Sequence, residues 1–472
     1  MVASILGTGM RSGGLLAWVV AIIVILPALA IPSAGDGMVS VHVPDAYERW
    51  GLAKEHTQFG LVNLENGLEQ MIVAINVDAY DLRQGDRAVW LFPVPSAPQN
   101  VSIEMLPEVP NFQGERLSKM VEDSLGTDLL MVCSSQIYPL VFALPFLAGT
   151  GVTYSLLPKT GIGGNEVEVY EHIEKLGMTT EVVGTESNTL LDAYLQGKEL
   201  SLPAIAAPAI ETYIGEGFSF ILSWISDTEQ FVGNNTPHQG DDGRLYYSIG
   251  VWISFPAEKV FYPLRLTSVY GEDAPPMLLQ VMGFVSQGWG AHSHNFHAQM
   301  ECYVTRSTSV NESLAGFFNT QPPERGLLVL ENVRFTEIML TTSENGLSDD
   351  LWLDASPPAR AGLALFVIDH SWVLALLIFI LSSMLASLLA GMICFRRRHP
   401  AKTKFALLGL FNFLTIIGVW FAARHLSVEK EFVDPSDQPA ERESIPSYLT
   451  VFTVLFIAFV IASFTTVIEV IP

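Results

Sequence analysis

Three apolar stretches near the C-terminal end, 372–394, 405–423 and 448–468, constrain this chain more than any other feature. Each approaches the roughly 20 apolar residues that carry a helix across ~30 Å of hydrocarbon, so part of the fold is expected in lipid. Between the first two stand Arg396, Arg397, Arg398, Lys402 and Lys404 with no acid among them. Cations beside a span mark the cytoplasmic side. The expectation is a helical three-span anchor: spans over 372–394, 405–423 and 448–472, a basic cytoplasmic loop over 395–404, an acidic outer loop over 424–447, and a cytoplasmic C-terminus.

The first 30 residues agree with that orientation. Arg11 precedes an apolar run from Leu15 that closes on Ala28-Leu29-Ala30, the order of a secretory signal peptide, with an uncleaved anchor helix as the alternative. Either exports residues 31–371. That body holds 16 Lys and Arg against 42 Asp and Glu and accounts for the chain's net charge of −24. Such acidity excludes nucleic acid as a partner, because phosphate backbones need clustered cations. A further apolar stretch, 129–149, is interrupted by Pro139 and Pro145. A crossing there would put the Arg396 cluster outside, so this stretch is expected as a helical segment buried in the body or dipping into the membrane.

Within the body, 59–64 and 71–77 flank Asn66-Gly67, a pair that tolerates the positive φ of a tight hairpin. Further strands are expected over 88–92, 218–224, 246–255, 264–269, 277–285 and 327–340, the last with a break near Asn332. Helices are expected over 189–196, ended by Gly197, and over 203–214, opened by Pro203. This mixture makes the body a β-rich α+β domain.

Four stretches in fixed order carry a resemblance. They are Ala88-Val89-Trp90-Leu91-Phe92-Pro93-Val94-Pro95-Ser96-Ala97-Pro98, then Glu166-Val167-Glu168-Val169-Tyr170 leading into Leu190-Leu191-Asp192-Ala193-Tyr194-Leu195, then Tyr213-Ile214-Gly215-Glu216-Gly217-Phe218, then Val260-Phe261-Tyr262-Pro263-Leu264-Arg265-Leu266-Thr267-Ser268. On these, residues 60–353 resemble an uncharacterised family of exported, membrane-tethered proteins, domain of unknown function 2330. The resemblance implies a fold unit and a location, and no chemistry.

The densest set of metal-ligand types is His292, His294, His297, Glu301 and Cys302. On a helix His294, His297 and Glu301 share a face, and three ligands with an open fourth position suit a hydrolytic divalent metal. On a strand His292 and His294 share a face and His297 points away, and a solvated loop after Gly288-Trp289-Gly290 is the plain alternative. Cys133 and Cys302 are both exported, where a disulfide can form; two separate buried thiols are the other outcome. Asn100, Asn234 and Asn311 begin N-glycosylation sequons. Leu157-Pro158-Lys159-Thr160-Gly161 matches a sortase signal but lies far from the C-terminus, which disqualifies it. No nucleophile elbow, phosphate loop or cysteine pair for redox work is present. The spans carry only Glu469 as an ionisable group, against the several that ion pathways use, while Ser382, Ser383, Ser387, Gly391, Asn412 and Gly418 suit close helix packing.

The leading expectation is therefore an exported binding or assembly domain at the cell surface, in contact with the bilayer and a membrane or cell-surface protein. The alternative is an extracytoplasmic metal-dependent hydrolase built on the His292, His294 and His297 cluster. The loop over 395–404 is too short to signal inward without a separate effector.

Overall fold

The computed structural model describes residues 38–470 apart from 44–48, 53–57, 79–87, 135, 137–170, 240–242, 274, 288–296, 322–325, 342–348, 395–401, 415 and 426–443. In chain order the first strands are β1 (Met38–Val43), β2 (Arg49–Leu52), β3 (Gln58–Glu65), β4 (Leu68–Asp78), β5 (Ala88–Val94) and β6 (Ser102–Leu106). Then come β7 (Glu115–Arg116), β8 (His172–Lys175), β9 (Met178–Gly184), β10 (Ser219–Ile225), β11 (His238–Gln239) and β12 (Leu245–Pro256). The last are β13 (Val260–Tyr262), β14 (Met277–Met282), β15 (Ser286–Gln287), β16 (His297–Val310), β17 (Leu328–Thr341) and β18 (Leu351–Asp354). The helices are α1 (Leu117–Ser134), α2 (Asn188–Gln196), α3 (Ala207–Gly215), α4 (Thr228–Asn234) and α5 (Ala359–Asp369), followed by α6 (Ser371–Cys394), α7 (Lys402–Gly409), α8 (Ile416–His425) and α9 (Ser444–Val470).

Alternation of side chains along a strand lets each sheet bury both faces. Among the described residues one sheet has the order β2-β1-β5-β10-β9-β8, a second β11-β12-β4-β3-β14-β17-β16-β7, with β6 also paired to β12, and a small third β13-β18-β15. Trp90, Phe92 and Ile221 of the first meet Val73, Ile75, Val251 and Ile253 of the second around a small cavity between them. On the other face of the first sheet, Val89, Leu91, Phe220 and Leu222 pack under Leu191 and Leu195 of α2 and Ile210 and Tyr213 of α3. The β-rich α+β body is thus layered helix on sheet on sheet.

The expected hairpin forms at Asn66 and Gly67, with φ of 55° and 79°. The helices at 189–196 and 203–214 appear as α2, capped by Ser187 and ended at Gly197, and as a 3-10 turn running into α3. One reading needs correction. Residues 264–269 form 3-10 turns over Arg265–Asp273, not a strand, because the Asp350 carboxylate draws the Leu264 and Arg265 N–H groups onto one oxygen, at 2.9 and 3.1 Å. The break at Asn332 is a single residue with φ 52°; β17 keeps its register on β16 on both sides of it, with Val333 opposite Thr305 and Glu331 opposite Ser307.

The anchor differs from the three-span expectation. Among the described residues two helices, Ser371–Cys394 and Ser447–Val470, are long and apolar enough to cross a membrane. The middle stretch is broken into α7, a 3-10 turn over Leu410–Leu414, and α8. Gly409 backs directly onto the Ser383 carbonyl, where a Cβ would collide, and the Asn412 amide donates to Ser383 Oγ at 2.9 Å. These tertiary ties hold the interruption in place.

The stretch at 129–149 is described only as far as Gln136, and there it continues α1, which begins earlier than expected, at Leu117. Leu117, Val121, Leu125, Leu129 and Val132 recur at helical spacing as one buried stripe. That stripe joins Ala364 and Val367 of α5, Ala375 and Phe379 of α6, and Tyr448 and Phe452 of α9 in a single apolar cluster. Body and anchor share a core.

Candidate functional site

His292 and His294 lie outside the described residues, as does the loop before them. His297 opens β16, paired through its backbone to Thr341. The helical arrangement that would bring His297 and Glu301 onto one metal is therefore replaced by a strand, in which four residues span about 13 Å. Glu301 is already engaged: its Oε2 lies 2.7 Å from Arg116 Nε and accepts from the Tyr303 hydroxyl at 2.9 Å. Burial, moderated by Arg116, pushes the Tyr303 phenol up to about 12. Among the described residues no three His, Cys, Asp or Glu side chains converge as metal ligands.

Cys133 and Cys302 are free thiols of intermediate exposure. Both lie half-buried against the apolar cluster shared by body and anchor, and burial pushes the Cys302 thiol up despite a hydrogen bond to Thr336. Asn100, Asn234 and Asn311 are all exposed, and the Asn311 side chain also caps a short 3-10 turn by accepting from Ser313 N–H at 3.0 Å.

The most developed polar cluster at the body surface was not legible beforehand. Glu181, on β9, accepts from His172 Nδ1 on β8 at 2.7 Å, from Lys198 Nζ just beyond α2 at 3.0 Å, and from the Tyr194 hydroxyl on α2. Lys198 also sits over the rings of Trp224 and Tyr194, 4.7 and 5.0 Å from their centroids. Burial of the Glu181 carboxyl opposes its charge, but the three donors outweigh that and hold it below the usual carboxylate range. The His172 side chain is 55% exposed. With Nδ1–H donating to a carboxylate, Nε2 is the acceptor nitrogen of the ring. Exposed Leu190 and Tyr194 lie on the same helix. Aromatic rings, a stacked cation and a polar rim form a recognition surface. Tyr194 and Lys198, four residues apart, were the only local signal; β8, β9 and β10 supply the rest.

A second cluster is internal. Asp350 Oδ1 accepts from the Tyr213 hydroxyl at 2.6 Å as well as from two backbone N–H groups, while its Oδ2 accepts from Arg265 Nε at 2.8 Å. Arg265 turns its two other nitrogens to Glu216, at 2.8 and 2.6 Å, and stacks over Tyr213 at 4.3 Å. Burial raises the Tyr213 phenol strongly, with Asp350 adding to it. Phe218 packs on Phe261 at 5.7 Å and Phe92 on Tyr262 at 6.2 Å. Three of the four stretches behind the family resemblance thus meet at one joint, where they do structural work. Glu69, fully buried on β4, accepts from Phe261 N–H at 2.8 Å, and burial pushes its carboxyl well above the usual range.

With this geometry in hand, comparison with known proteins adds no relative: no protein-family model, no curated protein and no solved structure matches the chain.

Proposed function

We propose that this is an exported binding or assembly protein, its acidic body extracytoplasmic and its α6 and α9 helices in the cell membrane, acting on a membrane or cell-surface protein partner. One observation supports this above the others: α1 of the body shares a core with α5, α6 and α9. A domain that only needs tethering requires one helix and a linker, whereas a shared core fixes the body's orientation above the bilayer, as a docking platform requires. The contact surface in this reading is the face bearing His172, Tyr194, Lys198 and Trp224, of which Tyr and Trp are residue types that concentrate binding energy at interfaces. The resemblance to domain of unknown function 2330 stays part of the proposal, as do glycans on the exposed Asn100, Asn234 and Asn311, which a mobility shift on glycosidase treatment would reveal.

Crosslinking in native membranes tests the reading. The full-length chain should give a discrete crosslinked species, which the double variant His172→Ala, Tyr194→Ala should lose while its far-ultraviolet circular dichroism stays that of the folded protein. No discrete species from the unaltered chain would remove the proposal. The metal-dependent hydrolase gains nothing from the described residues, since Glu301 is committed to Arg116; stoichiometric zinc in the purified full-length protein would restore it.

A further inference from the structure

The packing directions of the anchor helices contradict a simple three-fold crossing. Along α6 and α9, Ser387 Oγ meets the Tyr448 hydroxyl at 2.6 Å, and the Phe379 and Phe456 rings meet at 5.3 Å. Eight residues back on one helix match eight forward on the other. The same register brings Phe464 to the level of Ser371, and there Phe464 lies against Gly126 of α1 while the Ser371 hydroxyl donates to Asp128 of α1. α9 therefore runs antiparallel to α6. It starts at the end of α6 that carries Cys394 and finishes beside the body.

The middle stretch must then begin and end at the Cys394 side. α7 climbs along α6, with Phe405 against Gly391 and Gly409 against Ser383, and Asn412 reaches only Ser383. Ser383 lies about 18 Å along α6 from Ser371 at 1.5 Å per residue, near the middle of a ~30 Å hydrocarbon layer. After the 3-10 turn, α8 packs back against α7 and α9. A helix continuing upward would leave α7 behind.

Chain composition excludes the alternative return. If α8 ended beside the body, residues 426–443 would have to cross the bilayer to reach α9, carrying Glu429, Glu431, Asp434, Asp437, Glu441, Glu443, Lys430 and Arg442. A segment with eight charges has no place in hydrocarbon.

The geometry points to a two-span anchor with a re-entrant hairpin: α6 and α9 cross, while α7 and α8 enter from the Cys394 side, turn at Asn412 and leave on that side. Gln136, at the foot of α1, donates to the Asn412 carbonyl at 2.9 Å, so a segment descending from the body meets the hairpin tip near mid-bilayer. The C-terminus then lies with the body and the acidic 426–443 segment lies opposite. Independently, this topology gathers all eight Lys and Arg residues after Trp372 on one face, where the three-span arrangement scatters Arg424, Lys430 and Arg442 to the other. Cation distribution is what sets orientation, and acids count for little.

The inference rests on α6 and α9 being spans, and its test separates that from sidedness. Single variants Asp437→Cys and Glu469→Cys of the full-length chain, and an epitope placed after Pro472, are probed in intact and in permeabilised cells with membrane-impermeant maleimide and antibody, the unaltered chain giving the background. The thiol of the Glu469→Cys variant and the epitope should share the protection state of a body epitope, and the thiol of the Asp437→Cys variant should have the opposite one. That pattern with the body protected would sustain the hairpin and overturn the proposed extracytoplasmic body. The Asp437→Cys thiol on the body's side, with or without the C-terminus opposite, would overturn the hairpin.

Discussion

In the body one buried carboxylate, Asp350, gathers a guanidinium, a phenol and two backbone N–H groups; in the anchor the corresponding joint is a neutral amide, Asn412, tied to Ser383 and Gln136. The body can bury an ion because the chain supplies four donors around it. The anchor spends no charge and relies on close backbone approach at Gly391 and Gly409, with serine hydroxyls in the seam. Burial in protein rewards a fully satisfied charge network, whereas lipid rewards small, neutral contacts.

The sharpest test of this contrast is Asp350→Ala. Removing one partner of a buried ion pair costs about 3–5 kcal/mol, and here it also strands the Tyr213 hydroxyl, so chemical unfolding followed through the aromatic residues should shift by that amount. Gly409→Leu should come next, at about 3 kcal/mol of overpacking. Its loss should appear in the detergent-solubilised anchor while the near-ultraviolet signature of the body persists.

Glu181→Gln gives a smaller, pH-dependent effect. Glu181 is held below its unfolded value of about 4.3 by Tyr194, Lys198 and His172, so its contribution is present above that pH and lost as pH falls through the lower folded value. The unaltered protein should therefore lose more thermal stability on acidification than the variant; equal slopes would mean that the cluster is not coupled to folding. Ser387→Ala should cost least, about 0.6 kcal/mol, the typical worth of a hydrogen bond between membrane helices. A loss as large as that at Gly409 would show that hydroxyls, not close approach, hold the anchor.

Local chemistry made parts of this fold readable. Asn66-Gly67 announces its hairpin because few other pairs accept positive φ at both positions, and Gly197 ends α2 where a terminator was expected. Residues 264–269 read as a strand because their apolar pattern carries no trace of Asp350, 85 residues away, which recasts them as 3-10 turns. The middle apolar stretch read as a span because hydropathy averages over Gly409, Asn412 and Gly418; only their contacts with α6 and within the broken stretch itself reveal the interruption. The Glu181 cluster draws on β8, β9, β10 and α2, and no sequence spacing encodes that meeting. The histidine-rich segment drew attention by density alone, and its described part, residues 297–302 on β16, gives Glu301 an arginine partner.

The central claim is that the body is built through α1 into the apolar bundle of α5, α6 and α9. It is tested most directly by the paired variant Asp128→Cys, Ser371→Cys, oxidised in native membranes and then proteolysed within the body. The fragment carrying α1 should remain joined to the fragment carrying α6 until reductant is added. Fragments that separate without reductant, although each single cysteine reacts with a thiol reagent, would mean that the body hangs from its anchor on a free tether.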